Sequence, residues 1–220
     1  MKNMKYKLLV LLAGVGIVSC RKDKLSPIPQ DTISDQVAFQ TPERALQAVN
    51  GMYAAVKTGN FYGGRFPVYH EIRGEDFNNR TNNGVTGFQT YNYTVTPTLN
   101  EVNNLWNAAY AAINRINVVI DGVQKSSLPD NIKSQYIGEA RFLRGLTYFS
   151  LATLYARPYW DGNGDKPGVI IYTEPQLTSG NNNKARSTVA ETYTQILSDL
   201  DFAEQNLPLT YTGTNMNVHR

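Results

Sequence analysis

Two neighbouring carboxylates, Glu75 and Asp76, stand out in the stretch GEDFNNR. Glycoside hydrolases use a carboxyl pair to protonate the leaving group and to activate water or form a covalent intermediate. That chemistry needs one carboxyl group on each side of the scissile bond, which two adjacent residues of one loop do not provide. The chain also lacks a nucleophile elbow, a phosphate-binding loop and a dinucleotide fingerprint. The sequence therefore predicts a protein that is not an enzyme, with glycoside hydrolysis as a weaker alternative.

Metal chemistry has little support in the sequence. The two histidines, His70 and His219, are far apart, and Cys20 is the only cysteine. Protein zinc sites combine several histidine, cysteine or carboxylate ligands at characteristic spacings. We therefore predict no metal site and no cofactor, and a single cysteine excludes an intramolecular disulfide bond.

Four aromatic residues, Tyr91, Tyr93, Tyr159 and Trp160, lie in predicted loops. An aromatic ring in a loop has less reason to be buried than one on a helix stripe, and flat rings bearing a polar group suit both stacking and hydrogen bonding. Each ring is a candidate platform for a sugar. Each is equally a candidate for covering the protein's own surface or for contacting a partner protein, where tyrosine and tryptophan are enriched.

The amino terminus has the pattern of a lipoprotein signal peptide. Three lysines among the first seven residues precede an apolar run, residues 8–18, and Ser19 then precedes Cys20. The run is too short to span a bilayer as a helix, which takes about 20 apolar residues. The motif IVSC resembles a bacterial lipobox, whose cysteine is lipidated after cleavage. We predict a signal peptide at residues 1–19, with an ordinary secretory peptide or a buried core cysteine as alternatives.

The rest of the chain divides into a tether and one domain. Residues 20–38 are charged and interrupted by prolines, a composition that cannot build a core, so we predict a flexible tether there. Residues 39–220 are predicted to form one helical domain. Residues 1–19 contain three lysines and no acid, so the remainder has 18 Lys and Arg (21 − 3) against 18 Asp and Glu. This balance argues against binding of nucleic acid, which requires a basic surface.

Helical periodicity dominates the predicted domain. The first helix begins at Pro42 behind a Thr41 cap and ends near Val56, and the fourth begins after a Thr188–Glu191 capping box and ends before Pro208. Between them we predict a second helix and a third helix with apolar residues on more than one face, which should pack between neighbours. These two span residues 101–123 and approximately 132–155.

The predicted fold is mainly α, with tetratricopeptide-like helical hairpins, long loops and little β structure. A short β-like run is predicted at residues 169–172. Residues 59–99 show no clear periodicity and are rich in glycine, asparagine and aromatic residues. A loop of that length inside a compact domain is uncommon and often functional, so this segment is where we expect a binding site.

Several segments resemble the SusD/RagB family of nutrient-binding surface lipoproteins. They occur in the family's order and are LWNAAYAAINRINVVID, YIGEARFLRGLTYFSLATLYARPYW, GVIIYTEP and RSTVAETYTQILSDLDFAEQNLP. Family members are usually much longer, so the resemblance implies that these residues form an amino-terminal portion.

The resemblance implies a lipoprotein anchored to the outer membrane through Cys20 and facing the cell exterior. Such a protein binds polysaccharide or oligosaccharide and delivers it to a SusC-like TonB-dependent transporter. A subunit that captures peptides, or a purely structural adaptor of the same transporter, is the alternative function.

The resemblance also nominates ligand-binding residues by approximate correspondence. They are an acidic residue and an arginine of the long loop, Asp76 and Arg80, and the pair Asn103 and Trp106 at the start of the second helix. Trp106 also lies on the apolar stripe of that helix, which favours a core position.

The signature GEARFLR belongs to the same resemblance. We predict that its charged residues, Glu139, Arg141 and Arg144, form structural pairs at helical spacings on the third helix.

Overall fold

A computed structural model describes the protein over residues 35–75, 87–178, 180 and 182–210. Within these ranges the chain is built from helices, and no helix has the length and apolarity needed to cross a membrane. In chain order the helices are α1 (Asp35–Ala38), α2 (Pro42–Val56), α3 (Arg65–Arg73), α4 (Phe88–Tyr91), α5 (Asn100–Lys125), α6 (Asp130–Tyr155) and α7 (Val189–Asn206).

Some residues with predicted roles lie outside the described ranges. These are Cys20, Asp76, Arg80 and His219.

The helix starts predicted from the sequence are confirmed at α2 and α7. The Thr41 hydroxyl accepts a hydrogen bond from the Arg44 N–H at 3.4 Å, and Pro42 occupies the first helical position. At α7 the Thr188 hydroxyl accepts from the Glu191 N–H at 3.1 Å, and the Glu191 carboxylate accepts from the Thr188 N–H at 2.7 Å. These two bonds form the predicted capping box, and the one that the Thr188 N–H donates to the carboxylate lowers the pKa of Glu191.

Helix α6 occupies the centre of the helical packing. It contacts α2, α5 and α7, and its buried residues lie on several faces, which confirms the prediction that it packs between neighbours. The turn between α5 and α6 is short, so the two helices form an antiparallel hairpin. The fold is mainly α and consists of tetratricopeptide-like hairpins. Phe149 of α6 is an exception to this burial, because it is 43% exposed.

Two glycines allow α7 to approach α6 closely. A Cβ atom at Gly145 would lie 3.3 Å from the Ile196 carbonyl oxygen, and one at Gly138 would lie 3.2 Å from the Leu207 side chain. Both distances are shorter than ordinary van der Waals contacts. The absence of a side chain at these positions therefore sets the spacing between the two helices.

The signature charges of α6 are structural, but their main partners lie on other helices. The Arg144 guanidinium donates to both carboxylate oxygens of Asp199 on α7, at 2.7 and 2.8 Å, and to the Asn117 side-chain oxygen on α5 at 2.8 Å. Arg141 also pairs with Asp199, at 3.0 Å. Glu139 accepts a hydrogen bond from Tyr53 on α2 at 2.9 Å. The prediction of structural pairs is right, and the restriction of those pairs to the third helix is wrong.

The segment predicted as one long loop, residues 59–99, contains helix α3. Pro67 hid this helix from the sequence pattern, yet Pro67 is the third residue of α3, where its missing N–H removes no hydrogen bond within the helix. Phe66 and Tyr69 anchor the helix in the core. The prediction of a continuous loop is therefore wrong over the residues of α3 and over those of the short helix α4.

No strand forms in the described residues, so the predicted β-like run at 169–172 joins no sheet. What forms instead is the strap, which we define as residues 170–176, held by side chains of α5 and α6. The Tyr148 hydroxyl donates to the Tyr172 carbonyl at 2.8 Å and accepts from the Tyr172 N–H at 2.7 Å. Tyr110 bonds both groups of Ile170 in the same way, at 2.9 Å each.

The hydrogen bonds of the strap recur at every second residue, as expected for an extended chain. Asn117 donates to the carbonyls of Tyr172 and Glu174, and Asn114 bonds both backbone groups of Gln176. Helical side chains thus take the place of a neighbouring strand. A sequence pattern detects the extended segment but not these distant partners.

Removal of the Asp199 carboxylate should destabilise the protein strongly. Asp199→Ala leaves the buried Arg144 guanidinium without its counter-charge, which costs about 3–5 kcal/mol when one member of a buried pair is removed. Urea unfolding followed by circular dichroism measures this loss. Asp201→Ala is the matched control, since Asp201 is an exposed aspartate of the same helix. Equal stability of the two variants would contradict the structural role of the pair.

Loss of the Tyr148 hydroxyl should also be costly. Tyr148→Phe leaves the Tyr172 N–H without this partner, at about 1–3 kcal/mol for a buried polar group left unpaired, while the Tyr172 carbonyl keeps its bond from Asn117. Tyr193→Phe is the control, because no hydrogen bond joins the Tyr193 hydroxyl to a described residue. A loss of stability in urea unfolding confined to Tyr148→Phe is expected. Identical unfolding midpoints would show that water replaces the hydroxyl.

Candidate functional site

Two adjoining cavities form a groove at one end of the α5–α6 hairpin. Their volumes are about 280 Å³ and 730 Å³, and both are lined by Val102, at the start of α5, and Tyr155, at the end of α6. We call them the small and the large cavity of the groove. The residues that line both are Val95, Val102, Leu154 and Tyr155.

Aromatic rings form the floor of the groove. Trp106 is partly buried and lines the large cavity, with its ring centroid 4.7 Å from that of Tyr110 and 5.1 Å from that of Tyr155. The Tyr155 hydroxyl donates to the Val102 carbonyl at 2.8 Å. Burial raises the pKa of Tyr155, so its hydroxyl stays protonated and keeps this bond. The rings are thus fixed by the same contacts that close the end of the hairpin.

Arginine side chains stand on the walls of the groove. Arg186 donates to the Tyr155 carbonyl at 2.7 Å, and its guanidinium carbon lies 5.7 Å from the centre of the Trp106 ring. Arg73, in the small cavity, donates to the Leu154 carbonyl at 3.3 Å. Backbone carbonyls at the end of α6 therefore hold two guanidinium groups beside the aromatic floor.

Glu101 is the one carboxylate among the described lining residues. It belongs to the small cavity, where its two carboxylate oxygens accept hydrogen bonds from the Gly87 N–H at 2.6 Å and from the Thr90 hydroxyl at 2.9 Å. These bonds give it a structural task, because they attach α4 to the start of α5. The described part of the groove therefore presents no pair of carboxylates for hydrolysis.

Tyr93 forms part of the rim of the small cavity and is 62% exposed. Its hydroxyl lies 3.2 Å from the Arg73 carbonyl oxygen and 3.4 Å from a carboxylate oxygen of Glu75. Its backbone has a positive φ of 56°, a conformation that non-glycine residues rarely adopt. The hydrogen bond of the hydroxyl therefore holds the ring over the end of α3, and the backbone of Tyr93 adopts a strained conformation there.

Three of the candidate ligand-binding residues meet in the groove. Tyr93 lines the small cavity, and Asn103 and Trp106 line the large one. Tyr91, at the end of α4, is partly buried and lines neither cavity.

The other two candidates, Tyr159 and Trp160, lie on the loop that follows α6. The Tyr159 ring packs edge-on against Tyr193 of α7, with 5.9 Å between centroids, and its carbonyl accepts from the Gly164 N–H at 2.9 Å. Trp160, on the same tight loop, is 82% exposed. None of the four aromatic residues predicted in loops is fully buried. Burial of all four would have opposed a role in stacking on sugars.

No group of His, Cys, Asp and Glu side chains suited to a metal ion occurs among the described residues. His70 is exposed, and its ring lies 4.9 Å from that of Phe66. The described lining of the groove offers aromatic rings for stacking, polar groups for hydrogen bonding and arginine side chains.

Sequence reasoning missed several residues of the groove, among them Arg73, Tyr155 and Arg186. Arg73 fell inside the segment predicted as a loop, and Tyr155 looked like the last apolar residue of a helix. Arg186 lies in a polar loop before α7, which the sequence does show. The sequence does not show that this loop passes close to the end of α6.

Comparison with known proteins identifies the family. A family model described as "Starch-binding associating with outer membrane" matches residues 23–219. SusD-like protein P38 of Formosa agariphila is 28% identical over 99% of this chain, which corresponds to 41% of the relative. A SusD superfamily structure from Bacteroides fragilis superposes with a TM-score of 0.73 and 34% identity, over 80% of this chain and 42% of that one.

A laminarin-binding SusD-like protein shares the fold at 21% identity, with a TM-score of 0.63 over 79% of this chain and 36% of that one. The chain thus spans about two fifths of the length of its curated relative P38. The family match covers nearly the whole sequence and agrees with the helical hairpins described above. The chain belongs to the SusD-like family.

Proposed function

We propose that this protein binds polysaccharide or oligosaccharide in the groove and delivers it to a SusC-like TonB-dependent transporter. The observation that carries the proposal is the aromatic floor formed by Trp106 and Tyr155, with Asn103 and Tyr93 at its edge. Sugar rings have apolar faces that stack on aromatic rings and hydroxyl groups that need hydrogen-bond partners. The groove offers both, and its larger cavity has room for a short stretch of sugar chain.

We propose a binding role without catalysis, which the same geometry supports. The groove's one described carboxylate, Glu101, is occupied by two structural hydrogen bonds. The family model describes starch binding, and a structural neighbour binds laminarin. These relatives support glycan as the ligand class. The alternative function is a peptide-capturing subunit or a structural adaptor of the same transporter. A lack of affinity for every glycan tested would support it.

We further propose that the protein is anchored in the outer membrane by lipid on Cys20 and faces the cell exterior. The IVSC motif supports lipidation, and the family description supports association with the outer membrane. Several acyl chains on one cysteine would hold the protein stably, whereas one chain binds only marginally. The tether predicted at residues 20–38, whose last four residues form the short helix α1, would then separate the helical domain from the bilayer.

Glycan binding should perturb Trp106 and leave Trp160 unchanged. The chain has only these two tryptophans, so Trp160→Phe leaves Trp106 as the sole tryptophan reporter, and Trp106→Phe does the converse. We expect a shift of the emission spectrum on adding the bound glycan only where Trp106 remains. The ligand is first found by affinity electrophoresis through gels containing neutral and acidic polysaccharides. A shift only where Trp160 remains would move the site to the loop after α6.

A substitution at the edge of the groove tests the same site without disturbing the core. Asn103→Ala should weaken binding about 2–10-fold, the effect of losing one neutral hydrogen bond. Asn104→Ala is the matched control, because Asn104 is also exposed and is absent from the described lining of the groove. If both variants bind like the unchanged protein, Asn103 does not contact the ligand.

Lipidation of Cys20 is tested in the cell. Metabolic labelling with a fatty acid should mark the unchanged protein and not Cys20→Ser, and protease added to intact cells should degrade the labelled protein. Ser19→Ala is the control, because it keeps both a small residue before the cleavage site and the cysteine. Labelling of Cys20→Ser would contradict the anchor, and resistance to protease on intact cells would contradict the outward orientation.

A further inference from the structure

We infer that the groove selects glycans carrying acidic groups, either carboxylates or sulfate esters. This inference rests on the glycan-binding function proposed above. It concerns the class of sugar and comes from the charges on the groove's walls. The charged residues among the described lining of the large cavity are Arg157 and Arg186, and that lining includes no carboxylate.

Arg186 is positioned before any ligand arrives. One of its N–H groups donates to the Tyr155 carbonyl at 2.7 Å, and its guanidinium lies over the Trp106 ring. A guanidinium has five donors, so this arrangement leaves others for a ligand. The side chain thus has little conformational freedom left to lose on binding, which favours affinity.

The balance of charges in the groove differs from that in the core. In the core, Arg141 and Arg144 share the carboxylate of Asp199. In the groove, neither Arg73 nor Arg186 forms an ion pair with a described residue. Arg157 pairs with Asp161 through its Nε atom at 2.6 Å, and this bond leaves its terminal N–H groups to other partners. The groove therefore concentrates positive charge that its described residues only partly neutralise.

An acidic sugar matches these groups both in shape and in charge. The planar guanidinium donates two parallel hydrogen bonds to a carboxylate or sulfate group, and such charge-assisted bonds are stronger than bonds to hydroxyls. The sugar ring that carries the acid can stack on the aromatic floor beside Arg186. A neutral glycan uses the floor but leaves the guanidinium groups without an anionic partner. The geometry thus favours the acidic polymer.

The test compares polymers of the same sugar backbone with and without their charged groups. The full chain with Cys20→Ser, which carries no lipid, is run through gels containing polygalacturonate or the same polymer after methyl esterification. A sulfated galactan and its desulfated form make the second pair. Stronger retardation by the charged member is expected in one pair, and which pair responds separates carboxylate from sulfate recognition. The same protein is also run through gels containing neutral starch or laminarin, which test the glycan binding proposed above.

Matched variants separate a built site from general attraction between charges. Arg186→Gln should weaken binding of the charged polymer about tenfold or more, the effect of losing a charge-assisted bond, and Arg157→Gln should weaken it less. Arg44→Gln removes the same charge from the exposed first turn of α2, away from the groove, and should change nothing. Circular dichroism checks that each variant is folded. Arg186→Lys keeps the charge but loses the planar fork, so its affinity for the charged polymer should lie between those of the unchanged protein and Arg186→Gln.

The outcomes distinguish this inference from the proposed function. Equal retardation by charged and neutral members of both pairs overturns the selection of acids and leaves glycan binding in place. Equal weakening by Arg186→Gln and Arg44→Gln also overturns it, because net charge alone would then explain retention. Retardation by no polymer, charged or neutral, overturns glycan binding and this inference with it. Preference for one charged member that depends on Arg186 supports both.

Discussion

The buried guanidinium of Arg144 is the constraint on which the helical packing depends. An arginine removed from water is tolerated only where its charge is opposed and its donors are matched. Asp199 supplies the charge from α7, Asn117 supplies an oxygen from α5, and the Thr173 carbonyl of the strap lies 3.3 Å from the same guanidinium. One cation thereby fixes the relative positions of two helices and the strap around α6. Among the described side chains, no buried nitrogen or oxygen lacks a partner.

The same network extends to the groove through the strap. Tyr110 of α5 bonds both backbone groups of Ile170, and its ring packs against Trp106 on the floor of the large cavity. Ile170 itself lines that cavity, and the chain that continues from the strap provides Arg186. The floor and one arginine of the groove are therefore positioned by polar contacts that also satisfy a backbone without a neighbouring strand. The same contacts therefore stabilise the fold and determine the shape of the groove.

Sequence reasoning succeeded where the signal is local. The caps at Thr41 and Thr188 each depend on four consecutive residues, and the apolar stripes of α5 and α6 follow from helical periodicity. It failed where a residue's partner is distant, as for the strap, or where a local rule has an exception, as for Pro67 near the start of α3. Trp106 shows a third limit. Periodicity assigns a residue to a helix face but does not show how far the neighbouring helix extends to cover it.

The position of Trp106 explains why a residue of a core stripe can still face a ligand. Helix α6 runs antiparallel to α5 and ends at Tyr155, whose ring covers one side of Trp106 and leaves the tryptophan partly open to the large cavity. The ring is thus held by Tyr110, Tyr155 and Arg186 rather than by a flexible loop. A platform fixed in this way loses little conformational entropy on binding. Trp160 is more exposed but has no ring contact with a described residue, so its use as a platform would require the ligand itself to order the side chain.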